Sequence, residues 1–208
     1  MQQAKQITEY RKQLRQRILE YSLKAFATNG IKAVKMDDIA DRLQISKRTL
    51  YEIYSNKEEL LFEGLKSYNT EYEQKIYDYA KNHEANVMEI VVFALNYHMM
   101  ELSTTSPDFI SDMKKYPAIS AYFKQKHEQQ RDDLKQFLRR GVDEGYFRND
   151  INFDLMECII NGIQQMLHSM NLYKKFSMKD VFYTFMQMIF RAICTEKGMM
   201  EFKKFKLS

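Results

Sequence analysis

Glycine and proline are scarce in this chain of 208 residues, which contains six glycines and two prolines. Their scarcity argues against a turn-rich β architecture, and no hairpin pattern links the short runs of β-branched residues. Apolar residues instead recur three and four positions apart, which is the spacing of an amphipathic helix. The sequence therefore predicts an all-α protein that is long enough to bury a proper core.

The chain is also poor in cysteine and lacks long apolar runs. Cys158 and Cys194 lie far apart without a Cys-x-x-Cys pair, so neither a disulfide framework nor a zinc site is indicated. The N-terminus has no apolar stretch of the kind found in signal peptides, and the longest uncharged run, residues 158–173, contains Asn, Gln and His. We therefore expect a cytoplasmic protein with no membrane segment.

Sequence motifs of common enzyme classes are missing as well. No histidine follows a Glu by three positions, as in di-iron helical bundles, and neither His-Glu-x-x-His nor Gly-x-Ser-x-Gly occurs. The phosphate-binding Gly-x-x-x-x-Gly-Lys and the dinucleotide-binding Gly-x-Gly-x-x-Gly are also absent. The sequence predicts a protein that is not an enzyme, with no catalytic residue, no metal site and no cofactor.

A modest positive charge is concentrated near the N-terminus. The formal net charge is +4, and residues 1–64 carry 12 Lys and Arg against 9 Asp and Glu. This asymmetry is consistent with a basic surface for nucleic acid, although it is convincing only together with a motif.

Residues 34–60 carry such a motif, because they read as two short helices joined by a tight turn. Ser46 is a favoured N-cap residue, so a second helix is expected to begin at Lys47. Lys47 and Arg48 lie in its first turn, where two cations oppose the helix dipole and a DNA phosphate would compensate for them. The apolar positions of the first helix share one face: Met36, Ile39, Ala40 and Leu43.

These residues, at these spacings, resemble the DNA-binding domain of the TetR family of transcriptional regulators over about fifty residues, from Arg11 to Leu61. The family usually has Gly where Gln44 stands, often Thr at Lys35, and frequently an aromatic residue at Ile53. The matching positions are Gly30, Ile39-Ala40, Ile45-Ser46, Thr49-Leu50-Tyr51, Tyr54 and Lys57-Glu58-Glu59-Leu60.

The resemblance implies an N-terminal three-helix domain with a helix-turn-helix, followed by a larger helical domain for ligand binding and dimerisation. It implies that residues 47–49 face the major groove, that Tyr51 contacts phosphate or a base edge, and that Lys57 contacts phosphate at the start of the next helix. The predicted DNA-binding residues are Lys35, Lys47, Arg48, Thr49, Tyr51 and Lys57.

The predicted domains are residues 1–56, which bind DNA, and residues 57–208, with helix 57–81 linking the two. The two final helices, 153–173 and 178–195, are apolar nearly all round, which favours a homodimer interface built from this pair. Residues 197–208 read as a basic, partly ordered tail. The other predicted helices span residues 10–28, 87–103, 107–115 and 117–144.

The predicted function is a ligand-responsive repressor that acts as a homodimer on a palindromic operator in double-stranded DNA. Many Met and Phe residues after Val87 would suit a small apolar effector, whose binding would tilt helix 57–81. No ligand-binding residue is assigned, and core packing explains most of these side chains. The alternative is a helical module with the same fold that binds a protein partner rather than DNA. Polar residues considered for the effector site are Asn96, Tyr97, His98, Gln164 and His168.

Overall fold

The computed structural model describes residues 2–113, 115–170, 172 and 175–205, with the side chains of residues 2–8, 164 and 168 excepted. The described part is all-α, as predicted, and its one β feature is an isolated bridge between Phe147 and Cys194. The helices are α1 Gln2–Asn29, α2 Met36–Leu43, α3 Lys47–Ile53, α4 Lys57–Asn82, α5 Val87–Leu102, α6 Pro107–Met113, α7 Pro117–Gln129, α8 Arg131–Asp143, α9 Phe153–Ser169, α10 Met178–Ile193 and α11 Glu196–Phe202.

The chain forms two compact units, and neither is continuous in sequence. Unit 1 comprises residues 1–73 and 105–123, whereas unit 2 comprises residues 74–104 and 124–208. The chain passes from one unit to the other inside α4, after α5 and inside α7. Unit 1 therefore contains α6 together with α1, α2, α3 and the first two-thirds of α4.

The core of unit 1 forms where α1, α2 and α3 meet α4 and α6. It includes Ile18 and Phe26 of α1 and Leu50 of α3, all fully buried. The apolar face predicted for α2 is confirmed, because Met36, Ile39 and Ala40 are buried and Leu43 packs against the same core. Later segments contribute too, through the fully buried Leu60 and Leu61 and the nearly buried Phe109 and Ile119.

The turn between α2 and α3 fixes the start of the helix that follows. Gln44 adopts a left-handed backbone, with φ 56° and ψ 41°, and Ile45 N–H donates to the Ala40 carbonyl at 3.0 Å. Ser46 caps α3 as predicted, since its Oγ accepts from Thr49 N–H at 3.0 Å. A non-glycine residue in this conformation is strained by about 1 kcal/mol.

The loop of residues 30–34, which leads into α2, is held from several sides. Gly30 has φ 84°, and an added Cβ would lie 3.0 Å from the Asp108 Cβ of α6. Lys57 Nζ donates to the Ile31 and Val34 carbonyls, both at 2.8 Å. The buried Asp112 of α6 accepts from Lys32 N–H at 2.8 Å. Together these bonds satisfy the polar groups of the loop and position the start of α2.

Unit 2 has its own core, built by α5, α8, α10 and α11 together with residues 146 and 147. The predicted tail is wrong over most of its length. Thr195 caps α11 by accepting from Gly198 N–H, and the side chains of Phe202 and Phe205 are each 1% exposed within this core. Residues 206–208 lie outside the described part. Two apolar residues among lysines therefore fold inward because a core is available to cover them.

Several predicted helix boundaries also differ from the structure, and the helix predicted over residues 10–28 begins earlier, at Gln2. The helix predicted over residues 117–144 is interrupted at Gln130, where φ is −90° and ψ is 1°, so α7 and α8 are separate. Neither Gly nor Pro marks this break, so the sequence gives no local signal for it. The helix predicted over residues 153–173 ends at Ser169, while residues 171, 173 and 174 fall outside the described part.

Membrane-spanning helices and clusters of metal-binding side chains are both absent from the described residues. No helix among them has the length and apolar character needed to cross a membrane. No group of three or more His, Cys, Asp or Glu side chains is placed there to hold a metal ion.

We expect Gln44→Gly to raise the free energy of unfolding by about 0.5–1 kcal/mol, because Gly adopts the left-handed backbone without the Cβ clash. Urea unfolding followed by circular dichroism measures the change. Gln125→Gly, in the exposed middle of α7, serves as the control and should lower stability by about 1 kcal/mol. Equal destabilisation by both changes would contradict the strain assigned to Gln44.

Candidate nucleic-acid interface

The helix α3 presents one polar face to solvent and one apolar face to the core of unit 1. Leu50 is fully buried and Ile53 is half-buried, whereas Lys47, Arg48 and Tyr51 are exposed. The short turn before α3 and the Ser46 cap hold this orientation, so three of the predicted DNA-binding side chains lie together on one accessible surface.

Lys47 is held by a carboxylate of the preceding helix. Its Nζ lies 2.6 Å from Asp37 Oδ2, and both side chains are about half-exposed. The hydrogen bond that Lys47 donates to Asp37 raises the pKa of Lys47, so the ammonium remains charged at any physiological pH. A phosphate that contacted Lys47 would compete with this carboxylate.

Arg48 is held by a carboxylate of its own helix. Its Nε donates to Glu52 Oε1 at 2.8 Å, while Arg11 of α1 approaches the other oxygen of Glu52 at 3.9 Å. The hydrogen bond from Arg48 lowers the pKa of Glu52. The Arg48 side chain is 88% exposed, so this single contact leaves its two terminal nitrogens directed to solvent. Such a pair of donors matches the O6 and N7 acceptors of guanine.

Thr49 and Tyr51 differ in how accessible they are. The Thr49 hydroxyl lies 2.8 Å from Ser46 Oγ, and its side chain is half-buried, so the structure gives it a role in capping α3. Tyr51 is 47% exposed and its hydroxyl has no hydrogen-bond partner among the described residues. An exposed phenol of this kind is able to donate to a phosphate oxygen.

Lys35 and Lys57 occupy different surroundings. Lys35 precedes α2 and is exposed, and its backbone N–H donates to Asp38 Oδ2 at 3.0 Å. The Lys57 ammonium is partly buried against the Ile31 and Val34 carbonyls, and this burial lowers its pKa despite the opposing field of Asp112. In this structure Lys57 stabilises the loop before α2 through these two hydrogen bonds. Its contact with a DNA phosphate stays a prediction.

Sequence analysis overlooked the two carboxylates that hold the exposed cations. The spacing of Arg48 and Glu52, four positions apart on one helix, is a signal that could have found one pair. The pairing of Asp37 with Lys47 depends on how α2 crosses α3, which no local pattern reveals. The basic surface is therefore partly neutralised by acids of its own domain.

Comparison with known families gives one match in this region. The model of bacterial regulatory proteins of the tetR family matches residues 18–63, from the middle of α1 into α4. The HTH-type transcriptional repressor KstR2 of Mycobacterium tuberculosis is 28% identical over 145 residues, which cover 67% of this chain and 72% of that protein.

Solved structures extend the similarity to the fold of most of the chain. The structure of the ketosteroid transcriptional regulator KstR2 of Mycobacterium tuberculosis covers 88% of this chain and 95% of its own, with a TM-score of 0.53 and 23% identity. A TetR family regulator from Agrobacterium tumefaciens covers 89% of this chain and 100% of its own, with a TM-score of 0.67 and 15% identity.

We expect Asp37→Asn to strengthen binding to duplex DNA by up to about fivefold, because an exposed ion pair is worth about 1 kcal/mol or less. It should also steepen the dependence of log K on log salt by about 0.9, the contribution of one phosphate contact. Fluorescence anisotropy across a salt series measures both quantities. Asp41→Asn, the same change on the same helix without a hydrogen bond to Lys47, is the control. Equal effects of the two substitutions would contradict the competition described for Lys47.

Proposed function

Because residues 18–63 match the tetR family model and the chain is 28% identical to a transcriptional repressor over 145 residues, we propose that it is a DNA-binding repressor of the TetR family. It acts as a homodimer on a palindromic operator and releases the operator when an apolar effector binds. The observation that carries the proposal is the exposed polar face of α3, where Lys47, Arg48 and Tyr51 lie together. Such a regulator works in the cytoplasm, where the bacterial chromosome lies.

In this proposal the residues of the helix-turn-helix have separate tasks. Arg48 reads a guanine with its terminal nitrogens, while Lys47 and Tyr51 contact phosphate. Thr49 orients α3 through its bond to Ser46 and contacts DNA with its methyl group. Lys35 contacts the DNA backbone beside α2. Lys57 donates two N–H groups to the loop before α2 and its third N–H to a DNA phosphate.

The proposed dimer uses an apolar stripe on α9. Leu155, Ile159 and Met166 lie on one face and are at least half exposed, as is Met188 of α10. Gly162 lies within the stripe, and an added Cβ there would meet nothing within 4 Å, so a second helix has room to approach closely. Covering this stripe with its twofold copy removes apolar area from water, and two α3 helices would then enter major grooves about 34–36 Å apart.

The structure also refines which residues test this interface. Phe185, which sequence analysis placed in the predicted interface helices, is 7% exposed and packs inside its own protomer. A charge at Phe185 would therefore disturb the protomer itself. Ile159 is 54% exposed and is the better probe of the interface.

The proposed effector is a small apolar molecule bound within unit 2. The His98 ring lies 4.6 Å from the Phe182 ring, and burial lowers the pKa of His98, so the imidazole is neutral at pH 7. A neutral imidazole among aromatic rings suits an apolar ligand with one polar group. The name of the ketosteroid regulator KstR2 supports a ligand of this class. Tyr97 is engaged by Lys75 at 2.8 Å, and the side chains of Gln164 and His168 lie outside the described part.

The proposed release of DNA depends on helices through which the chain passes between unit 2 and unit 1. Helix α4 begins in unit 1 and ends in unit 2, and α6 belongs to unit 1 although its flanking segments, α5 and the end of α7, belong to unit 2. An effector that shifts α4 or α6 disturbs the bonds of Lys57 and Asp112 to the loop before α2. The effector must bind the DNA-free conformation more tightly, and a preference of about 1–3 kcal/mol is typical of such coupling.

The main alternative is a module of the same fold that binds a protein partner. The neutralised cations of α3 are the observation that favours it, since each already has a carboxylate partner. Binding to DNA releases counterions and therefore weakens steeply with salt, whereas binding to a protein through this small surface would not follow that slope.

We expect the purified protein to enrich a short palindrome from genomic DNA fragments at about 150 mM salt, where nonspecific binding is weak. The double variant Lys47→Ala with Arg48→Ala should enrich no sequence, because it lacks the two exposed cations of α3. Sequencing of the bound fragments is the measurement. Enrichment by neither protein would contradict the DNA-binding proposal and favour the protein-binding alternative.

We expect Ile159→Glu to convert the dimer into monomers, because it places two carboxylates in a buried apolar contact. Analytical ultracentrifugation should give half the mass of the wild-type protein. Binding assays should show weak binding of the variant to the full palindrome. Met200→Glu is the matched control, since Met200 is 62% exposed on α11 and outside the stripe. A dimer that survives Ile159→Glu would rule out this interface.

A further inference from the structure

A cleft of about 300 Å³ opens in unit 2 between α10, α11 and the residues that follow α11. Tyr183, Gln187 and Arg191 line one wall, at successive spacings of four residues along α10. Such spacing places all three on one face of the helix. Met199, Lys203 and Phe205 contribute to the opposite wall.

The floor of the cleft is aromatic. Phe202 and Phe205 are each 1% exposed, with ring centroids 5.6 Å apart, and Phe205 also lies 5.3 Å from the Tyr183 ring. Phe202 is backed in turn by Phe190, whose ring stacks on it at 4.7 Å. The Phe202 and Phe205 rings are almost completely covered and support the cleft from below. Tyr183 and Met199 are half-buried and give a bound apolar group a surface to pack against.

The rim of the cleft carries two cations that no carboxylate of the described residues neutralises. Arg191 donates through Nε to Gln187 Oε1 at 3.2 Å, which leaves its terminal nitrogens available, and Lys203 has no described side-chain partner. Five other cations of unit 2 each contact a carboxylate within 4.0 Å: Arg131, Lys135, Arg140, Arg148 and Lys204. The lining residues of the cleft include no Asp or Glu.

We propose that this cleft binds a small amphipathic carboxylate, with the carboxylate between Arg191 and Lys203 and the apolar body against Tyr183 and Met199, above Phe202 and Phe205. Arginine and lysine donors above an aromatic floor match an anionic head and an apolar tail. The Tyr183 hydroxyl and the Gln187 amide supply further donors at the rim. The site requires no DNA, so it extends beyond the proposed repressor function and is tested apart from it.

The cleft borders the proposed dimer interface on α10. Met188, which belongs to the proposed interface, precedes Arg191 by three positions and lies about 60° from it around α10. The stripe of Leu155, Ile159 and Met166 belongs to α9, which contributes no residue to the cleft. The α10 wall of the cleft therefore adjoins the proposed interface, whereas the stripe on α9 does not line the cleft.

Isothermal titration of the full chain with 4-phenylbutyrate, in the absence of DNA, tests the proposal. We expect one molecule to bind per protomer, and the neutral 4-phenylbutanol to bind at least about tenfold more weakly, a difference of about 1.4 kcal/mol. The double variant Arg191→Gln with Lys203→Gln should bind 4-phenylbutyrate at least about tenfold more weakly than the wild type, which again corresponds to about 1.4 kcal/mol.

The double variant Lys124→Gln with Arg139→Gln is the matched control, because both residues are exposed, belong to unit 2 and lie outside the cleft. It removes the same charge and should bind 4-phenylbutyrate like the wild type. Circular dichroism confirms that each variant is folded. No saturable binding up to about 5 mM, in the range of the weakest specific affinities, would overturn the proposal. Equal binding of the alcohol, or equal losses in the two double variants, would overturn it too.

Discussion

The loop before α2 is the constraint on which the rest of unit 1 depends. Its carbonyls at Ile31 and Val34 accept from the Lys57 ammonium, and Lys32 N–H donates to the buried Asp112 carboxylate. These bonds join α4 and α6 to a segment that lies only a few residues before the helix-turn-helix. Buried polar groups are costly when unpaired, so the loop, α4 and α6 must keep their relative positions together. The orientation of α3 is thereby set by residues that are far from it in sequence.

Charge is arranged differently in this inner region and on the surface of α3. Burial alone raises the pKa of Asp112, but hydrogen bonds from Lys115 and Lys32 outweigh it and leave the carboxylate with a lowered pKa. On α3, Lys47 and Arg48 are exposed but are paired with Asp37 and with Glu52. The inner charges are fixed because water is excluded, whereas the outer pairs exchange easily. Such a partly neutralised surface weakens nonspecific binding to DNA relative to binding at a specific site.

The sequence predicted those features that are encoded locally. The cap at Ser46 follows from a side chain that acts three residues away, and it is present. The family that the sequence resembles usually has Gly where Gln44 stands, Gly suits the left-handed turn found there, and the resemblance also supplied the fold. Contacts between distant segments were not readable, because nothing local reveals that Asp37 meets Lys47 or that Phe202 and Phe205 join a core. The break at Gln130 had no Gly or Pro to mark it.

Unit 1 is assembled from two stretches of sequence, and this bears on how such a protein can be cut and recombined. A crossover at residue 56 would separate the helix-turn-helix from Leu60, Leu61 and Phe109, which complete its core. It would also separate the α2 loop from Asp112. An N-terminal segment transplanted from another regulator must therefore suit the recipient's α6 as well as its linker helix. Recombination of domains can therefore exchange DNA specificity only with donor proteins whose α1–α2 loop fits α6 and α4 of the recipient.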